Sequence, residues 1–270
     1  MSHALPLVSI VTPSYNQGRF IEETLRSVQA QDYQRIEHIV VDGLSTDETL
    51  DVLKRYEGAY PMRWISEPDR GQSDAIAKGF RQAQGEILAW LNSDDVFLPG
   101  AISRVVGEFQ REPDVDLFYG DALVVDECGQ IIQDRVLTRV DQHDFLGLGN
   151  CLAQPATFWT RRIYDAVGGV DPQYYYQMDL DFYIRVAAKG QMAHLDAYLA
   201  KIRMHPAGKM SKAEHVRRQE LSDLRERYLP RGARGIAYNR YLLLARLFGR
   251  HVLQGHWAYL SRVAWRRSRI

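Results

Sequence analysis

The sequence predicts an α/β protein: a mixed, mostly parallel sheet flanked by helices, followed by a C-terminal helical extension. Three observations carry that expectation. Buried-strand and amphipathic-helix patterns alternate along the first half of the chain, the arrangement of consecutive βαβ units. The residues that follow the strand patterns are rich in Asp, Glu and Asn, and in a parallel sheet such residues share one edge, where ligands bind. The 270 residues, 46% hydrophobic and 25% charged, have the composition of an ordinary soluble protein that can bury a sizeable core.

In chain order, "LVSIVTP" is an apolar run of strand length and "RFIEETLRSVQAQ" repeats its apolar residues at helical spacing. "RIEHIVVD" is a second strand and "TDETLDVLKRYE" a second helix, with Ser45 and Glu48 at capping-box spacing before it. "MRWIS", "GQSDAIAKGFRQAQ" and "GEILAWLN" continue as strand, helix and strand. "PGAISRVVGEFQRE" predicts a helix with Pro99 in its first turn, where a missing N–H costs nothing. "GDALVVDECGQIIQDRV" predicts a β-hairpin turning near Glu127-Cys128-Gly129. "MDLDFYIRVAAKG" begins another helix, on which Asp179 and Asp181 differ by about 200° around the axis and cannot both face one site. Asp181 has Arg185 at i+4 and is expected to be structural.

Four loops therefore meet at one sheet edge: Thr12 to Asn16, Asp42-Gly43, Glu67 to Gly71, and Asn92 to Asp95. The adjacent carboxylates Asp94 and Asp95 repel each other unless a bound group supplies positive charge. Hard Mg²⁺ or Mn²⁺, which takes carboxylate and phosphate oxygens, would do so. Asp42 suits a base or ribose hydrogen bond. The alternative for Asp95 is a solvated turn or cap residue before the Pro99 helix. "TPSYNQGRF" after the first strand matches neither a dinucleotide fingerprint nor a P-loop, so phosphate would have to be held by metal.

Cys128 and Cys151 have no metal-type spacing and no disulfide framework, which fits a reducing compartment. No leader precedes the first apolar run and no stretch nears the ~20 apolar residues of a membrane span, so the expected address is the cytoplasm. Net charge is zero, with 34 basic and 34 acidic residues, yet residues 230–270 hold nine arginines and no acid or lysine. That segment is electrostatically distinct.

Taken together, "SIVTPSYNQGRFIEETLRSVQAQDY", "HIVVDGLSTDET", "SEPDRGQSDAIAKGF" and "GEILAWLNSDDVFLPGAI" resemble successive motifs of family 2 of the inverting glycosyltransferases. "QPATFWTRRIYDAVGGVDPQYYYQMDLDFYIRVAAKG" is similar to that family's acceptor-side region, and "KIRMHPAGKMSK" to its segment closing over the donor phosphates. The resemblance runs from about residue 7 to residue 212. It implies a GT-A fold, with residues 1–228 as catalytic domain (about 1–120 for the nucleotide sugar, 121–212 for the acceptor); apolar residues at helical spacing among arginines make 229–270 a basic amphipathic helical tail. The resemblance further implies that Pro13, Tyr15, Asn16 and Asp42 line the base and ribose pocket. Asp94 would face the ribose or metal region, Asp95 would be the main metal ligand, and His205 would reach metal or diphosphate. UDP is the implied nucleotide, with GDP and dTDP open. Three departures stand out: Asn92 where the D-x-D signature has its first acid, Ala77 for an asparagine, and Met178 for an acid.

The implied chemistry is transfer of a sugar from a nucleoside-diphosphate sugar to a hydroxyl of a glycan, lipid-linked or small-molecule acceptor, with inversion. Mn²⁺ or Mg²⁺ stabilises the leaving diphosphate, and Asp179 is the general base. The run "QYYYQMD" before it suggests a stacking platform for a sugar or headgroup, or simple packing. The tail's apolar residues, arginines, Trp257 and Trp265 suit an interfacial helix on an anionic membrane, which would make the protein peripheral on the inner face. The alternative is a helix packed back on the catalytic domain. Nucleic acid is not an expected partner, since no recognition motif accompanies the charge. Two other functions remain open: a nucleotidyltransferase making nucleotide sugars, which lacks its usual glycine-rich loop here, and a silent membrane-associated binding subunit.

Overall fold

The computed structural model describes residues 5–206, 208 and 214–229, and in the C-terminal stretch 244, 245, 248–253 and 255–257. Its centre is one nine-stranded sheet. Strands β1 (Val8–Ser14) and β2 (Ile36–Asp42) are buried along their whole length, as their near-continuous apolar runs require of strands covered on both faces. With β3 (Met62–Ser66) and β4 (Ile87–Trp90) they form a parallel array in the order β3-β2-β1-β4. Helices α1 (Gly18–Gln29), α2 (Thr49–Tyr56) and α3 (Gln72–Gln82) make the crossovers, so the expected βαβ alternation is the one observed.

Beyond β4 the sheet becomes mixed. β8 (Thr157–Thr160) is antiparallel to both β4 and β6 (Leu117–Val125), and β6 runs parallel to the long β9 (Met192–Arg203). The two-residue β5 (Val96–Phe97) pairs antiparallel to β9, and β7 (Ile131–Arg135) forms the expected hairpin with β6. Measured by length of pairing, the sheet is mostly parallel. β6 crosses residue 120, so the two halves expected on either side of that position share one sheet. The remaining helices are α4 (Ala101–Arg111), α5 (Gln142–Leu148), α6 (Arg161–Val167), α7 (Met178–Lys189) and α8 (Glu214–Tyr228).

Two helix starts differ from the expected ones. Ser45 does not cap α2, because its hydroxyl bonds the Asp42 carboxylate, and Asp47 accepts the Thr49 N–H instead. Pro99 lies before α4, whose N-cap is the left-handed Gly100 at φ +73°. A capping box does occur on α5, between Asp141 and Asp144.

Among the described residues no helix is long and apolar enough to cross a membrane. Most of the basic tail lies outside them. Of the described tail residues, Arg250 reaches back to the main body, bonding the Arg139 carbonyl and pairing with Asp144 Oδ2 at 3.0 Å and Asp141 Oδ2 at 3.6 Å.

Candidate active site

The four parallel strands end at one edge, and their loops build the site. The acid loop after β4 is held from three sides. Thr24 of α1 donates to the Asp95 carbonyl at 2.7 Å, and Ser27 accepts from Phe97 N–H at 3.2 Å. Gln154 donates to the Trp90 carbonyl at 2.8 Å. Arg203, at the end of β9, donates from Nε to the Asp94 carbonyl at 3.1 Å. Arg203 is itself fastened by Glu23, by the carbonyls of Asp126 and Glu127, and by the Phe20 ring beneath its guanidinium.

Asp94 and Asp95 point different ways. Asp95 is buried at 3% exposure, its Oδ1 accepting from Arg203 N–H and its Oδ2 from Asn92 Nδ2, both at 3.0 Å. Burial, then the neighbouring charge of Asp94, pushes the Asp95 carboxyl well above the usual carboxylate range. Asp94 is the more open of the two, and its Oδ2 stands 3.1 Å from His205 Nε2. His205 packs on Phe20 with ring centroids 4.6 Å apart.

The Asn92 departure has a physical reason. Its carbonyl oxygen accepts from Gln72 Nε2 at 2.7 Å and Trp90 Nε1 at 3.1 Å, while its amide donates to Asp95 and to Gln154 Oε1 at 3.0 Å. A carboxylate there has no hydrogen to give, and would add a third negative charge beside Asp95.

On the nucleoside side, Pro13 is buried in β1 opposite Val41, and Tyr15 is 61% exposed. Asn16 adopts φ +52°, its N–H donating to Ser45 Oγ and its Oδ1 accepting from Thr46 N–H, both at 2.8 Å. Asp42 is fully buried; its carboxylate takes Ser45 N–H at 2.9 Å, Ser66 Oγ at 2.7 Å and the Ser45 hydroxyl. Asp42 therefore ties its own loop to Ser66 and, through Ser45, to Asn16, while Tyr15, Asn16, Leu44 and Thr46 are exposed, Leu44 at a strained φ of +63°.

On the acceptor side, Asp179 lies in the first turn of α7. Its Oδ1 accepts from Leu180 N–H at 2.7 Å and its Oδ2 from Asn150 Nδ2. Residues 150–154 link it to the acid loop, since Asn150 bonds Asp179 and Gln154 bonds Asn92. Four residue steps span at most about 14 Å, which bounds the separation of those two anchor points. Asp181 is fully buried and paired with Arg185, as its spacing predicted. Asn150, Gln154, Gln72 and Arg203 are absent from the sequence reading. Only Arg203 left a trace, as a charge in an apolar strand two residues before His205.

Asp94 Oδ2 and His205 Nε2 are hydrogen-bonded to each other, and a carboxylate and an imidazole so placed could serve as neighbouring ligands of a divalent cation. Adjacent ligands of an octahedral Mg²⁺ at 2.0–2.1 Å stand about 3 Å apart, the separation of Asp94 Oδ2 and His205 Nε2. No three His, Cys, Asp or Glu side chains converge on a metal position among the described residues. The other ligands would be phosphate oxygens and water, as is usual for Mg²⁺. The rest of the segment resembling a donor-closing loop, residues 207 and 209–212, lies outside the described residues.

Comparison with known proteins places these features in context. The sequence profile of "Glycosyl transferase family 2" matches residues 9–147. An uncharacterized glycosyltransferase of Nostoc sp. is 29% identical over 207 residues, which cover 73% of this chain and 61% of that protein. The Staphylococcus aureus TarS fragment 1–349 in complex with UDP-GlcNAc superposes with a TM-score of 0.66 at 19% identity, over 91% of this chain and 72% of the other. A mannosyltransferase from Pyrobaculum calidifontis in complex with GDP-Man and Mn²⁺ gives 0.59 at 18% identity, over 98% and 80%. At these identities the two structures establish a shared fold.

Proposed function

The chain belongs to glycosyl transferase family 2, and from that premise we propose that it transfers a sugar with inversion from a nucleoside-diphosphate sugar to a hydroxyl of a glycan, glycolipid or related acceptor. The observation that carries this reading is the partly open Asp94, hydrogen-bonded to a buried His205 and standing beside a buried, hydrogen-bonded Asp95, with residues 150–154 linking this loop to Asp179. UDP is the proposed nucleotide, supported by the TarS complex with UDP-GlcNAc; the GDP-Man complex makes GDP the competitor to test.

Tyr15, Asn16 and the Asp42-anchored loops receive the nucleoside, and Asp94 and His205 receive the diphosphate end. Bound there, Mn²⁺ or Mg²⁺ supplies positive charge against the departing diphosphate. The acceptor oxygen attacks the anomeric carbon from the face opposite the diphosphate. The new C–O bond forms as the bond to the phosphate oxygen breaks, and the hydroxyl proton passes to the Asp179 carboxylate. Asn150 and Leu180 N–H orient that carboxylate. The cation role expected of Asp95 passes to Asp94 in this proposal, because both Asp95 oxygens already serve the loop.

Thermal shift with UDP, GDP and dTDP, with and without Mn²⁺, combined with hydrolysis of the matching nucleotide sugars, tests the assignment. UDP should raise the melting temperature only with Mn²⁺, since a ligand of the native state alone stabilises it. Asp94→Asn should abolish that rise, whereas Asp95→Asn should keep it from a lowered starting point. Asp179→Asn should keep nucleotide binding and lose roughly 10²–10⁴ in turnover. The reverse pattern at Asp94 and Asp95 returns the cation to Asp95, and wild-type turnover in Asp179→Asn removes it as the base.

A further inference from the structure

Helix α8 lies against the acceptor side, and one of its side chains is placed to govern Asp179. The Glu220 carboxylate accepts three consecutive backbone N–H groups: Tyr175 at 2.8 Å on Oε1, and Tyr176 at 2.8 Å and Gln177 at 2.9 Å on Oε2. Gln177 is the N-cap residue of α7, and Asp179 follows two residues later. An anion at this end also suits the positive pole of α7.

The same helix grips the surrounding parts. Gln177 Nε2 donates to the Arg217 carbonyl at 3.2 Å, and Arg227 donates to Tyr174 Oη at 3.2 Å. Tyr228 Oη donates to Asp181 Oδ1 at 2.8 Å. Arg225 donates to the carbonyls of Leu146 at 2.9 Å and Gly147 at 3.0 Å, just upstream of Asn150. Both supports of Asp179, the turn entering α7 and the segment bearing Asn150, are therefore tethered to α8.

We propose that Glu220 is a positioning residue for transfer: by holding the 175–177 turn it sets the start of α7 and thereby the Asp179 carboxylate. The proposal rests on Asp179 being the base. Charge-assisted bonds to backbone N–H are short and directional, so three of them on one carboxylate restrict the turn. In Glu220→Gln the amide NH₂ confronts at least one N–H that the carboxylate accepted, and the turn loosens.

The test uses the full chain with Mn²⁺ and whichever of UDP-, GDP- or dTDP-sugar the wild type hydrolyses, together with hydrogen exchange read by mass spectrometry over residues 175–177. The expected result for Glu220→Gln is exchange faster by at least about tenfold in that turn and hydrolysis slower by a similar factor. Nucleotide affinity should stay within about twofold, and Arg218→Ala, on the exposed side of α8, should change none of the three. Unchanged exchange, faster exchange with undiminished hydrolysis, or loss of hydrolysis together with nucleotide binding would each overturn the proposal. Should the variant not fold, wild-type amides at 175–177 exchanging as fast as an open chain would overturn it as well. Hydrolysis persisting in Asp179→Asn strikes instead at the assignment of the base, which separates the two failures.

Discussion

His38 shows how one side chain sets a pH limit on this fold. It is fully buried in β2, with Thr12 Oγ1 at 2.8 Å from Nε2 and Tyr60 Oη at 2.7 Å from Nδ1. Hydroxyls can give or take a hydrogen, so both nitrogens of a neutral ring are satisfied. Burial pushes its pKa from the ordinary 6.5 down to about 3. The folded state keeps His38 neutral while the unfolded chain takes up a proton below pH 6.5, so its contribution is complete above that pH and is lost as pH falls through about 3. Urea unfolding should show little of this between pH 7.5 and 6.5 and, between about pH 5.5 and 4.5, a slope of about 1.4 kcal/mol per pH unit beyond that of His38→Gln. Equal slopes in the two proteins would remove His38 as the cause. Asn92 makes the complementary point at the same scale: its amide supports Asp95 in a way that no aspartate could.

Among the elements, α1 and α7 do the placing. α1 holds the acid loop through Thr24 and Ser27, which the periodicity of its apolar face does not reveal, since both are polar residues turned inward. α7 has its two acids on different faces, as the helical period requires, and the structure assigns them different surroundings. Asp181 is sealed between Arg185 and Tyr228, while Asp179 is partly open. Asp181→Asn leaves the mostly buried Arg185 guanidinium without its counter-charge and should cost about 3–5 kcal/mol. Calorimetry should record that loss while the UDP-dependent rise in melting temperature persists. If Asp181→Asn instead left stability intact, the pair would be dispensable. The two misplaced helix starts share a cause: Ser45 and Pro99 sit in loops serving the site edge, so competition from Asp42 and the tight Gly100 turn overrode local capping rules.

For the whole molecule, the shared sheet joins the proposed donor and acceptor sides, and the tail adds to it at Arg250. Asp144 is fully buried, and Arg250 lies 3.0 Å from its Oδ2. Arg250→Ala would leave that buried carboxylate its capping bond from Asp141 N–H but no counter-charge, and should lower stability by on the order of 1–3 kcal/mol, or about 2–4 °C in melting temperature for each kcal/mol in a chain of this size. An unaltered melting temperature would mean that the contact contributes nothing in solution. Phe248, Leu253 and Trp257 are exposed nearby, so co-sedimentation of wild type and Arg250→Ala with anionic vesicles also compares packing against membrane contact.

By itself the sequence determined the alternation of strands and helices, the common edge of the four loops, the hairpin, and the split between Asp179 and Asp181. These follow from periodicities of 2 and 3.6 residues, which act over neighbouring positions and are written in the residue order. Tertiary structure alone decided that Asp95 turns inward while Asp94 meets His205, that Asp42 is consumed by Ser45 and Ser66, and that Glu220 holds the start of α7. Each of those outcomes includes at least one hydrogen bond between groups from 24 to 111 positions apart. Which group wins is settled by burial and reach in the folded chain, because an unmade bond is costly only where water cannot replace it.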